Sequence, residues 1–189
     1  MNILIIYAHP NKSSYNNAIL ETFKENISAA HHFKILDLYQ EDFNPVLYFD
    51  ENNRRRDLQF DPTTQKYRDD LTWANHLVFI YPIWWSSMPA ILKGYIDRVF
   101  AKGFAYEYKG IRPVALLTNK TATIVTTHDT PNFYVKLFQK DYGKVLNKQI
   151  LKMCGIKVTS TLTMPFLRNA NETKRENFLL QLAKHAKTL

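Results

Sequence analysis

Apolar residues along the chain fall into two patterns, short unbroken runs and longer stretches at helical spacing, and the two alternate. Residues 3–8 (ILIIYA) and 77–81 (LVFIY) are continuous apolar runs, too short for helices and apolar on both faces, as strands inside a covered parallel sheet are. Residues 33–38 and 158–162 predict two further strands, and 121–127 (TATIVTT) a fifth by its β-branched content. Ala18, Ile19, Leu20, Phe23 and Ile27 line one face of a helix after the first strand. Residues 63–75 predict a second helix, Ile91, Leu92, Tyr95, Ile96, Val99 and Phe100 a third, 133–153 a fourth and 171–187 an amphipathic closing one. Pro82 is expected to stop the central strand, with Ser86 and Ser87 capping the helix that follows and Pro89 in its first turn. Lys109-Gly110 marks a turn, and 114–117 reads as a short strand or an excursion. The segment 39–62 is polar and irregular, a length that predicts a functional loop or a subunit contact.

Strands alternating with helices five times over specify an α/β fold: a doubly wound five-stranded parallel sheet, order 2-1-3-4-5, with helices on both faces and right-handed crossovers. With 189 residues the whole chain, 1–189, is expected to be one domain. The strand order brings the loops after His9, Tyr81 and Thr127 together at the carboxyl edge of the sheet, around its switch point, where such folds bind ligands.

The residue types in those loops divide the work of holding one ligand. Ser13, Ser14 and Asn16 lie at or just inside a helix N-terminus, where free N–H groups and the helix dipole suit a phosphate. All five glycines come at Gly94 or later, so neither a G-x-G-x-x-G turn nor a P-loop can fill this place. Ser13 or Ser14 as a plain N-cap is the simpler alternative. Pro82, Ile83, Trp84 and Trp85 suit the apolar face of a planar ring, although both indoles could instead be core or interface aromatics. Thr126, Thr127, His128 and Asp129 suit a polar ring edge. Phosphate, ring face and ring edge together match a flavin, which brings its own hydride chemistry, so that no residue need be a nucleophile.

Charge and composition narrow the partners. A formal charge of +8 would suit nucleic acid, an anionic membrane or phosphorylated small molecules, and no zinc-finger or RNA-binding signature accompanies it. Pyridine nucleotides, with their anionic phosphates, are the fitting partners. The run Arg54-Arg55-Arg56 reads as a solvated loop. Cys154, the single cysteine, is expected to be a small buried thiol at a helix-to-strand junction, and no His/Cys/Asp/Glu cluster has metal-ligand spacing. No stretch approaches about 20 apolar residues, so a cytoplasmic protein without membrane insertion is expected.

Three blocks, ILIIYAHPNKSSYNNAIL, FIYPIWWSSMPAILKGYIDRVFAKGFAYEY and TTHDTPNFY, resemble the NAD(P)H:quinone oxidoreductase family of flavodoxin-fold flavoproteins, the DT-diaphorase-like group. The likeness implies a homodimer with FMN, or alternatively FAD, in each subunit. It also implies two-electron reduction of quinone-like acceptors by NADPH or NADH. Carried over by position, His9, Ser14, Tyr15, Asn16, Pro82, Ile83, Trp84, Trp85, Thr126, Thr127, His128 and Asp129 would contact the cofactor. Tyr106 and Tyr108 would border both the acceptor and the two-fold interface, unless they pack beneath the 109–118 excursion. Tyr134 falls at a tyrosine that assists hydride transfer in the family, while the histidine partner six residues on is replaced by Lys140. The family's Thr-Thr-Gly-Gly is here Thr126-Thr127-His128-Asp129, whose side chains could obstruct a close approach to the ring. Two other classes are an ancillary regulator of a potassium-efflux transporter, which the family resemblance also allows, and a flavodoxin-like electron carrier, against which the basic charge weighs.

Overall fold

The computed structural model describes residues 1–52, 54–138 and 143–189. Its frame is the expected one. Strands β1 (Asn2–Tyr7), β2 (His32–Asp37), β3 (His76–Pro82), β6 (Thr121–Thr127) and β7 (Lys157–Met164) form a parallel sheet in the order β2-β1-β3-β6-β7. Between β3 and β6 lies an antiparallel hairpin of β4 (Tyr106–Lys109) and β5 (Arg112–Ala115). The 114–117 excursion is thus the return arm of that hairpin.

The unbroken runs are apolar on both faces because both faces are covered. Alternate residues of β1 go to opposite sides. Leu4 and Ile6 join Leu77 and Phe79 against α2 (Gln65–Trp73) and α3 (Ala90–Val99), whereas Ile3 and Ile5 join Val78 and Ile80 against α1 (Tyr15–Asn26) and α6 (Glu172–Lys187). Each fully buried aliphatic side chain in these layers contributes on the order of 2 kcal/mol. Cys154 is buried in the first layer, and burial pushes its thiol up to about 11, which makes it an inert packing residue.

Three expectations about boundaries are corrected. β3 runs one residue further than expected and ends on Pro82 itself, in register with Thr127. The helix after it begins at Ala90 with Pro89 as its cap, so Ser86 and Ser87 belong to a turn rather than to an N-cap. The 133–153 helix is divided into α4 (Asn132–Phe138), a turn at Gly143 with φ +65, a π-helical stretch Leu146–Leu151 and α5 (Lys152–Cys154).

The 39–62 segment is an ordered arm rather than a free loop. Gly94 permits its approach to α3, since a Cβ there would stand 2.2 Å from the Pro45 carbonyl oxygen. The Arg98 guanidinium binds Asp61 at 3.0 Å and Thr63 at 2.7 Å, while buried Arg68 donates to the carbonyls of Leu58 at 3.1 Å and Asp61 at 2.7 Å.

Candidate cofactor site at the carboxyl edge of the sheet

The loop after β1 is shaped by Asn11. Its side chain accepts from the Ser13 N–H at 2.8 Å, its carbonyl from the Ser14 N–H at 3.2 Å, and its own N–H reaches His9 Nδ1 at 3.1 Å. Ser14 then caps α1, its hydroxyl accepting from the Asn17 N–H at 3.2 Å. The N–H groups of Tyr15 and Asn16, the first two of the helix, make no hydrogen bond among the described residues. Two backbone donors and the positive end of a three-turn helix therefore face the opening, the arrangement that binds an anion. Below them Asn16 is 3% exposed, donates to Thr127 Oγ1 at 2.9 Å and leaves its carbonyl oxygen buried without a partner.

The loop after β3 is a tight turn. Trp84 and Ser87 exchange both backbone bonds, at 2.9 and 3.0 Å, around Trp85 at φ +48 and Ser86 at φ +64. This is the left-handed turn in which glycine or asparagine normally occupies the two central places, and each non-glycine residue there costs about 1 to 2 kcal/mol. Trp85 is wholly exposed, and the N–H groups of Trp85 and Ser86 have no partner among the described residues. The Ile83 N–H holds the Thr127 carbonyl at 2.8 Å, and the Gly143 N–H holds that of Ser86 at 3.0 Å. Trp84 sits beside His9, ring centroids 5.8 Å apart. Burial lowers the His9 pKa, so its ring is neutral at pH 7.

The loop after β6 is laced to the loop after β7. His128 donates its N–H to Met164 at 3.1 Å and accepts from the Leu167 N–H at 3.0 Å, while Asp129 takes the Arg168 N–H at 2.8 Å. The His128 side chain is buried, so it does not stand over the cleft as the loss of the glycine suggests it could. Thr126 is turned toward β7, its hydroxyl 2.9 Å from that of Thr163. Thr127 reaches the loop after β1 through its side chain, at Asn16.

Tyr15 is bound elsewhere: its hydroxyl donates to the Arg175 carbonyl at 2.6 Å, and burial pushes its pKa up to about 12. Tyr134 is exposed on α4 and stacks on Phe138 at 5.0 Å. Lys140 lies outside the described residues. Tyr106 and Tyr108 are not brought to this edge. They line a cavity of about 580 Å³ that runs along α3 from Lys93 to Phe100 and is also lined by Met153. Sequence reasoning passed over Tyr7, whose buried hydroxyl lies by Ser14 without a well-formed hydrogen bond, at the polar tip of an otherwise apolar strand.

The comparisons fit this layout. A family model described as the flavodoxin-like fold matches residues 1–187. The chain belongs to that family. A relative in Haemophilus influenzae, named an uncharacterized NAD(P)H oxidoreductase, is 35% identical over 82% of this chain and 79% of its own length. Smu.1420 from Streptococcus mutans UA159 has a crystal structure 47% identical, covering all of both chains, with a TM-score of 0.94. The NAD(P)H:quinone oxidoreductase from Methanothermobacter marburgensis is 25% identical over the whole of this chain and 96% of that one, with a TM-score of 0.83. Fold and family likeness read from the sequence are both borne out.

Proposed function

We propose that the chain is a flavin-dependent NAD(P)H:quinone oxidoreductase that binds FMN, with FAD as the alternative, at the carboxyl edge of its sheet. The observation that carries this reading is the set of unused backbone donors on the two loops that Thr127 ties together: the N–H groups of Tyr15, Asn16, Trp85 and Ser86. A flavin needs donors at its phosphate and at its ring, and both sets are present on one edge. The N–H groups of α1, with Ser14 and Asn16, would hold the phosphate, while His9 and Trp84 would wall the ring. Pro82, Ile83, Trp85, Thr126, Thr127, His128 and Asp129 frame the ring side, the last two through backbone because their side chains are occupied. Flavin supplies the two-electron hydride chemistry that the side chains here lack. In the net reaction a hydride leaves NADPH or NADH, a proton comes from solvent, and a quinone becomes a hydroquinone.

The edge is open as one subunit presents it, with Trp85 and the apolar face of α4 (Phe133, Tyr134, Leu137, Phe138) in solvent. Exposed apolar surface beside a ligand shelf calls for a covering partner, and a homodimer provides it. Tyr106 and Tyr108, on the β4–β5 hairpin, would then serve the partner's acceptor pocket. Tyr134 is the candidate to assist hydride transfer. The test is turnover: the purified chain with FMN should oxidise NADPH or NADH only when a simple quinone is present and form hydroquinone in equal amount. Flavin-loaded protein that oxidises neither donor would contradict the reading.

A further inference from the structure

We propose that the cavity under the β4–β5 hairpin binds the phosphate-bearing adenosine end of the pyridine nucleotide, and that Arg55, Arg56 and Lys102 make NADPH the preferred donor. This deepens the proposed function and rests on it.

The cavity, about 580 Å³, falls within the range of small-molecule sites, roughly 300 to 1,000 Å³. Its floor is apolar, from Ile96, Phe100, Ile150 and Met153, and its mouth carries Tyr106 and Tyr108 edge to face with centroids 5.7 Å apart. A flat heteroaromatic ring gains from such a floor. Its charged lining is one-sided: Arg55, Arg56, Lys93 and Lys102 against Asp97. Asp97 is already paired with Lys93 at 2.6 Å. Among the described residues, Arg55, Arg56 and Lys102 make no ion pair. Arg56 and Lys102 also border an adjoining hollow of about 300 Å³, which Asp57 and Glu107 share without forming an ion pair to either.

The cations come from distant parts of the chain and line one cavity. The helical turn Arg55–Phe60 is fixed from behind by Arg68 and laid on the hairpin through Gly103, where φ is +87 and a Cβ would meet the Gln59 amide at 2.2 Å. Lys102 immediately precedes that glycine. Two guanidinium groups and an ammonium around an aromatic slot recognise a phosphate on a purine nucleoside, the feature that distinguishes NADPH from NADH.

The test is equilibrium titration of the protein with adenosine 2′,5′-bisphosphate, adenosine and inorganic phosphate, read by ligand-induced change in tyrosine fluorescence and independent of turnover. The bisphosphate should bind at least about tenfold more tightly than adenosine or phosphate alone. Arg55→Gln/Arg56→Gln/Lys102→Gln should weaken it about 10- to 100-fold and raise the KM for NADPH by a similar factor, with that for NADH changing less than about threefold. Should the triple variant differ in its circular dichroism, Arg55→Gln/Arg56→Gln, which alters only exposed side chains, should still weaken the bisphosphate several-fold. Bisphosphate binding no tighter than adenosine, tight binding of phosphate alone, or binding untouched by the substitutions would overturn the proposal. Protein that binds the bisphosphate yet never turns over with a quinone would leave the cavity assignment standing and remove the proposed reaction.

Discussion

Asn16 is the residue on which the phosphate end and the ring end of the edge meet, since it starts α1 while its side chain holds Thr127 at the end of β6. Removing it with its neighbour, as Ser14→Ala/Asn16→Ala, deletes a cap and a buried hydrogen bond at once, at about 1 kcal/mol each in stability. Flavin affinity should fall further, about 30- to 1,000-fold, because the Ser14 hydroxyl is lost and the Asn16–Thr127 bond that positions the backbone donors goes with it. Unchanged flavin binding, measured by fluorescence titration, would reduce both residues to structural caps. The turn at Trp85 and Ser86 makes a second claim about single residues. Ser86 holds φ +64 with no glycine to relieve it, and two adjacent residues in this conformation beside a binding site mark strain retained for function. Ser86→Gly should raise the thermal midpoint of flavin-free protein by about 1 to 4 °C, the relief of strain offset in part by glycine's chain entropy. A lowered midpoint would show that the turn is relaxed as it stands.

At the scale of elements, the far end of the sheet carries its own polar link. His76 on β3 lies between Thr121 at 2.7 Å and Thr123 at 3.0 Å on β6, and Thr123 in turn meets His185 of α6 at 3.0 Å. Burial, helped by nearby His185, pushes the His76 pKa down to about 4. The folded value lies below the ordinary 6.5, so the unfolded chain binds the proton more readily. The stabilisation is complete above pH 6.5 and is lost as the pH falls towards 4, up to about 3 kcal/mol. Urea midpoints taken from pH 7.5 to 4.5 should decline accordingly and decline less in His76→Gln; parallel profiles for the two proteins would contradict this. Elements of this kind were the legible part of the sequence. The runs 3–8 and 77–81 announced central strands because burial on both faces leaves no polar position. What stayed hidden depended on contacts between distant residues. Gly143 breaks the fourth helix where it must lie against Ser86 and Ile83, and the strand continues through Pro82 because its missing N–H falls at the last rung of the ladder. His128 was read as an obstruction, and only the bond pattern to β7 reveals that its side chain turns inward.

For the whole molecule, the exposed Trp85 and α4 aromatics at the ligand edge, with two tyrosines on a separate hairpin, are the features a dimer would explain. Among the described residues no helix is long and apolar enough to cross a membrane. Tyr106→Ala/Tyr108→Ala should raise the acceptor KM at least about tenfold while flavin content is retained, the loss of two stacking rings being worth about 1.5 to 3 kcal/mol. An active monomer with normal kinetics, established by light scattering alongside the assay, would refute the shared pocket. The account as a whole stands on the flavin. Denaturing the purified, flavin-saturated and desalted protein and identifying what it releases by chromatography tests that most directly: close to one FMN per chain is predicted, and a colourless protein that retains neither FMN nor FAD would contradict it.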